Sequence, residues 1–165
     1  MVNEYPQVMT IAGSDSDGSA GMQADMNTFL ARKVYGTSIL TAAVAGNSYG
    51  IHASHALPVD FIKEEFKAIA DDFKILATKT GMLTDTKTIH AVIESYQKYN
   101  FGPLIVDPVI ITKHGAMLLE QEAYETVCDE LIPLATVITP NFYEAQKLVE
   151  SELQNEDEII EAAKK

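Results

Sequence analysis

The sequence predicts an α/β domain built on a central, mostly parallel sheet with helices on both faces. Three observations carry that prediction. Short apolar or β-branched runs alternate with segments whose apolar residues recur at helical spacing, the signature of repeated strand–helix units. Several strand candidates are apolar on both faces, as a covered parallel sheet requires. Small, polar or carboxylate residues follow one strand candidate after another, where parallel sheets carry their ligands.

Val8–Ala12 is the first strand candidate and ends at a glycine-rich turn, Gly13-Ser-Asp-Ser-Asp-Gly-Ser-Ala-Gly21. Met22, Met26, Phe29 and Leu30 then share one helical face. Ser38–Ala45 reads as a single buried strand, and Ile51–Leu57 as a weaker extended edge or flap, where His52 or His55 could touch a ligand and a second copy could dock. Ile62, Phe66, Ile69 and Phe73 give the next helix its apolar stripe. Ile75–Lys79 reads as a strand, with Gly81 turning the chain and Thr84 as N-cap of a helix carrying Ile89, Val92, Ile93 and Tyr96. Gly102-Pro103 breaks that helix before the short strand Leu104–Val106. Tyr124, Val127, Cys128 and Leu131 mark a helix that Pro133 terminates. Thr136–Thr139 is the last strand candidate. A helix starts near Asn141 with Phe142, Ala145 and Val149, and an amphipathic piece around Ile159, Ile160 and Ala163 follows.

Composition narrows the function. A hydrophobic fraction of 47% in 165 residues is enough for one buried core. A formal net charge of −12 repels phosphate backbones and anionic lipid, so neither nucleic acid nor membrane is expected as a partner. The single cysteine, Cys128, provides no disulfide and suits a reducing cytoplasm; in its helical context it reads as a small buried hydrophobe. His52, His55, His90 and His114 lack zinc-ligand spacing, and no Gly-x-Ser-x-Gly elbow is present.

The glycine-rich turn is neither a P-loop nor a dinucleotide fingerprint, because Gly-Lys-Ser/Thr is missing and Gly13, Gly18 and Gly21 have the wrong spacing. It is either a tight strand-to-helix connection or a turn that lets backbone approach a ligand. Asp25, one helical turn beyond it, is either a surface charge or an acceptor for a ligand amino or hydroxyl group. Asp107, at a strand end, is a turn residue or a cation ligand. Glu144 alone would be a solvated helix charge; beside Asp107 on the same rim it becomes a candidate for holding Mg²⁺ through water.

Four ordered motifs point further: Gly13 to Asp25, Lys79-Thr-Gly-Met-Leu83, Asp107-Pro-Val109, and Thr139-Pro-Asn141 with Glu144-Ala145. Over nearly the whole chain the sequence resembles hydroxymethylpyrimidine/phosphomethylpyrimidine kinases of thiamine biosynthesis and the similar bacterial pyridoxal kinases. The resemblance implies a ribokinase-like fold, with residues 1–165 as one domain whose C-terminal part is missing from this chain. It implies ATP and Mg²⁺ as cofactors, a small heteroaromatic alcohol as substrate, and a homodimer. Gly13, Ala20, Asp25, Val44, Gly46, Met82 and Val109 would line the ring pocket, Asn141 would face the nucleotide, and Asp107 and Glu144 the metal and phosphates.

Two departures from the family pattern follow. Pyrimidine kinases carry a glutamine that hydrogen-bonds the ring where this chain has Gly46, so a pyridoxal-type substrate stays open. Family members also continue into a glycine-rich anion hole and a catalytic cysteine or aspartate. The catalytic group is therefore expected beyond Lys165, and a chain ending there is expected to have little kinase activity, or to act as a heterocycle-binding module.

Overall fold

The computed structural model describes residues 5–111 and 117–164. Strand β1 (Gln7–Ala12) leads through the glycine-rich turn into α1 (Gly21–Ala31) and back along β2 (Tyr35–Leu40). A hairpin, β3 (Ala42–Asn47) and β4 (Gly50–Ala56), precedes α2 (Val59–Asp72) and β5 (Ala77–Thr80). Then come α3 (Thr86–Lys98), β6 (Leu104–Val106), α4 (Gln121–Thr126), β7 (Val137–Ile138), α5 (Phe142–Leu148) and α6 (Glu156–Ala162).

Five strands form one sheet in the order β2-β1-β5-β6-β7, every pairing parallel. The chain leaves β1 toward β2 on one side and returns to β5 on the other. That reversal opens a crevice outside the carboxyl ends of β1 and β5, where open α/β sheets bind ligands. The two loops that meet there begin at Gly13 and Gly81.

Strand alternation sorts the faces. Met9, Ile11, Ile39, Leu104 and Val106 belong to a buried cluster with Ile62 and Phe66 of α2 and Ile89 and Val92 of α3. On the other face α1 lies close against β2: a Cβ added to Gly36 would sit 2.8 Å from the Met26 sulfur and from the Phe29 ring. Glycine there lets helix and strand approach. No described helix is long and apolar enough to cross a membrane.

The structure corrects several expectations. Ser38–Ala45 is not one strand. The chain leaves the sheet at Thr41, which donates its N–H to Ala12 O at 3.1 Å and its hydroxyl to Met82 O at 2.8 Å. From Ala42 it pairs antiparallel with β4 in a separate two-stranded sheet. The flap expected at Ile51–Leu57 is β4, exposed over most of its length. Leu30 does not join the buried face of α1 and is 77% exposed, because Met26 and Phe29 already fill the contact with Gly36. The cap of α3 is Asp85, not Thr84: Asp85 is extended and its carboxylate accepts the Thr88 N–H at 2.8 Å. The helix before Pro133 does not run unbroken. It widens to a π turn over Val127–Leu131 and tightens to a 3-10 turn over Ile132–Leu134, which contains the proline. Ile159 and Ile160 of α6 stay exposed. Cys128 is half-buried, and burial pushes its thiol pKa up, which leaves it protonated and poorly nucleophilic. His114 lies outside the described residues.

Candidate active-site cleft

The glycine-rich turn closes on itself through backbone and carboxylate bonds. Met22 N–H donates to Gly13 O at 2.9 Å, and Asp15 accepts the Ala20 N–H at 2.8 Å. Gly21 has φ +57°, and a Cβ there would come 2.7 Å from Gly13 O, so this position needs glycine twice over. At the mouth, the Ser19 hydroxyl and N–H hold Asp17 below the usual carboxylate range.

Serines then tie the turn to the hairpin. Ser14 Oγ accepts the Val44 N–H at 2.8 Å. Ser16 Oγ accepts the Gly46 N–H and donates to Gly46 O, both at 2.8 Å. Two hydroxyls thus replace the strand partner that the edge of β3 lacks on this side.

A cleft of about 520 Å³ lies between turn, hairpin and strand ends. Seven of the residues singled out in the sequence line it: Gly13, Ala20, Val44, Gly46, Met82, Asp107 and Val109. Asp25 does not line it directly; it sits behind Lys79, which does. Asn141, Glu144, His52 and His55 are not among the lining residues. Tyr49 and Leu118, which the sequence did not single out, add apolar surface, as does Ile51 from the expected flap.

Lys79, given no role of its own in the motif that it begins, is the cation among the described residues lining the cleft. Its Nζ lies 3.2 Å from Asp25 Oδ2 and 3.3 Å from Asp107 Oδ2. Asp25 Oδ2 also accepts the Thr10 hydroxyl at 2.6 Å. One ammonium therefore connects Asp25 of α1, behind the cleft, with Asp107 at the end of β6. A charged residue inside a strand that is otherwise Ala-Thr-Thr was the available signal.

Asn141 and Glu144 form a capping box at the start of α5. Glu144 is 2% exposed and reaches farther than its own helix. Its Oε1 accepts the Ile110 N–H at 2.8 Å and the Ile111 N–H at 3.3 Å, while Oε2 accepts the Asn141 N–H at 2.8 Å. The Asn141 side-chain amide donates to Ile111 O at 3.0 Å. This network holds the loop in which Val109, a β-branched residue, adopts φ +48°. Both Glu144 oxygens are thus engaged with backbone, whereas Asp107, 35% exposed, faces the cleft. Among the described residues no group of three or more His, Cys, Asp or Glu side chains could hold a metal ion.

Gly46 has no room for a simple side chain in this hairpin, since an added Cβ would sit 2.9 Å from Gly50 O. The register shift between Ala45 and Gly46 brings Gly50 that close.

Comparison with known proteins matches this arrangement to one family. A family model described as phosphomethylpyrimidine kinase matches residues 15–165. A hydroxymethylpyrimidine/phosphomethylpyrimidine kinase of Haemophilus influenzae is 44% identical over 99% of this chain and 61% of its own length. The enzyme of that name from Bacillus subtilis is 42% identical over 95% of this chain and 58% of its own. This chain therefore spans about three-fifths of the length of these curated relatives. Among solved structures, a phosphomethylpyrimidine kinase of Clostridium difficile superposes with a TM-score of 0.92 at 41% identity, covering 96% of this chain and 69% of that one. A pyridoxal kinase of Staphylococcus aureus in complex with pyridoxal gives 0.81 at 34% identity, covering 96% and 59%.

Proposed function

The chain belongs to the phosphomethylpyrimidine kinase family, and from that premise we propose that it serves ATP-dependent phosphorylation of 4-amino-5-hydroxymethyl-2-methylpyrimidine and of its monophosphate. The observation that carries this reading is the convergence of the glycine-rich turn, the β3–β4 hairpin and the ends of β5 and β6 on one cleft. A flat ring needs apolar walls and a few fixed polar groups. Val44, Met82 and Val109 supply walls, the turn supplies backbone close to the ring, and Asp25 with Lys79 supplies charge below it.

ATP is the proposed phosphoryl donor, and complexes of the Staphylococcus aureus pyridoxal kinase with ADP and AMP-PCP support a nucleotide site in this fold. Asn141 is proposed on the nucleotide side, acting from the N-cap of α5. The partly exposed carboxylate at this rim, Asp107, suits Mg²⁺ only as an outer ligand, since that ion binds through few carboxylates and several waters. Asp107 would hold it through water, and bound there it would neutralise charge on the transferring phosphoryl group. Glu144 serves the same region by fixing the Ile110–Ile111 backbone rather than by offering a free oxygen. Among these residues none is assigned as catalytic base. A homodimer through the exposed β4 face and a cytoplasmic location belong to the same reading.

One observation favours a second substrate. Gly46 offers no side-chain amide to an aminopyrimidine, which leaves pyridoxal or pyridoxine as the alternative ring, the first of which the Staphylococcus aureus relative binds. Calorimetry with both ring compounds distinguishes these readings. Saturable binding of the pyrimidine alcohol with weaker binding of pyridoxal is expected, and binding of neither would overturn the proposal. Turnover with ATP and Mg²⁺ separates a kinase from a module that only binds the ring.

A further inference from the structure

The described residues that line the cleft carry three carboxylates, Asp15, Asp17 and Asp107, and one cation, Lys79. A fourth carboxylate, Asp25, touches that same cation from behind. Such a pocket suits a neutral alcohol and opposes a phosphate ester, which brings negative charge against negative charge. The proposed reaction nevertheless requires both.

We propose that Lys79 is the specificity residue that lets this acidic cleft accept the phosphorylated substrate as well as the alcohol. The proposal rests on the functional reading above and deepens it. The ammonium has three N–H donors. Among the described residues one is directed to Asp25 Oδ2 at 3.2 Å, Asp107 Oδ2 lies 3.3 Å away as an ion-pair contact, and the side chain remains 26% exposed at the cleft. A donor is thus left for a ligand anion. The two existing contacts are long for charge-assisted bonds, so the ammonium is shared between its carboxylates rather than committed to one.

Calorimetry on the full chain, with the pyrimidine alcohol and its monophosphate as probes, tests this. Lys79→Met is expected to raise the ratio of monophosphate Kd to alcohol Kd by about tenfold or more, the loss of one charge-assisted hydrogen bond. Lys79→Arg, which keeps the charge, is expected to restore most of that ratio. Equal weakening of both ligands would overturn the proposal and leave Lys79 as a tie within the fold. If the unaltered chain binds neither probe, the functional reading fails first and this inference with it. Should the variants not fold, the Lys79 Cε resonance of the unaltered chain decides: a larger shift with monophosphate than with alcohol is expected, and equal shifts contradict the assignment.

Discussion

The two walls of the cleft are fastened in different ways. The hairpin wall hangs on two hydroxyls: half-buried Ser14 on Val44, and exposed Ser16 on both backbone groups of Gly46. The opposite wall is set by one buried carboxylate, Glu144, which collects three backbone N–H groups from two loops. Water competes for the Ser16 bonds and is excluded from the Ile110 and Ile111 bonds to Glu144. The hairpin side is therefore the more easily displaced of the two, and the Asp107–Val109 side the more firmly held.

Removing Glu144 breaks that comparison hardest. Glu144→Ala strands three backbone donors, two of them in the buried Ile110–Ile111 stretch, and is expected to cost about 3 kcal/mol or more in urea denaturation. A loss below about 1 kcal/mol would mean that the loop finds other acceptors and the wall is not fixed by this residue. Gly21→Ala comes next, because it forces a left-handed side chain against Gly13 O; about 1–3 kcal/mol of destabilisation is expected, with weakened ring binding.

Ser16→Ala sharpens the contrast from the other side. Its bonds are exposed, so the stability change should be about 1 kcal/mol or less, while ring affinity falls because the hairpin loses its anchor. Equal loss of stability in Ser16→Ala and Glu144→Ala would erase the distinction between the walls.

The smallest effect is a pH dependence at the base of the hairpin. Glu65 accepts the Leu40 N–H at 3.1 Å, just before the chain leaves the sheet, and burial raises its pKa. The folded state therefore holds this proton more tightly than the unfolded state does. The resulting penalty is complete above the raised pKa and disappears as pH falls to the ordinary carboxylate value. The Tm of the unaltered chain should rise relative to Glu65→Gln on acidification through that window. A flat difference would show that Glu65 titrates alike in both states.

Much of the fold was legible because period and apolar runs map directly onto strand and helix. β1, β5, β6, α2 and α3 lie where their patterns place them. The break at Thr41 was not legible, since a β-branched threonine within Ser38–Ala45 suits a strand interior as well as a strand end. Nor was the choice of Asp85 over Thr84 as cap, because neighbouring residues both had suitable side chains. The candidate site was readable where small residues must yield to backbone, as at Gly13 and Gly21. It was hidden where a side chain acts at a distance. Glu144 serves Ile110 and Ile111, 34 and 33 residues away, and Lys79 meets Asp25 54 residues away.

Whether a ring binds between these two walls is decided by backbone NMR of the chain titrated with the pyrimidine alcohol. Shifts concentrated at Gly13–Gly21, Val44–Ile51, Met82 and Val109 are predicted. Shifts confined instead to the separate hollow of about 270 Å³ beside α6, lined by Val149, Leu153 and Glu158, would contradict the account.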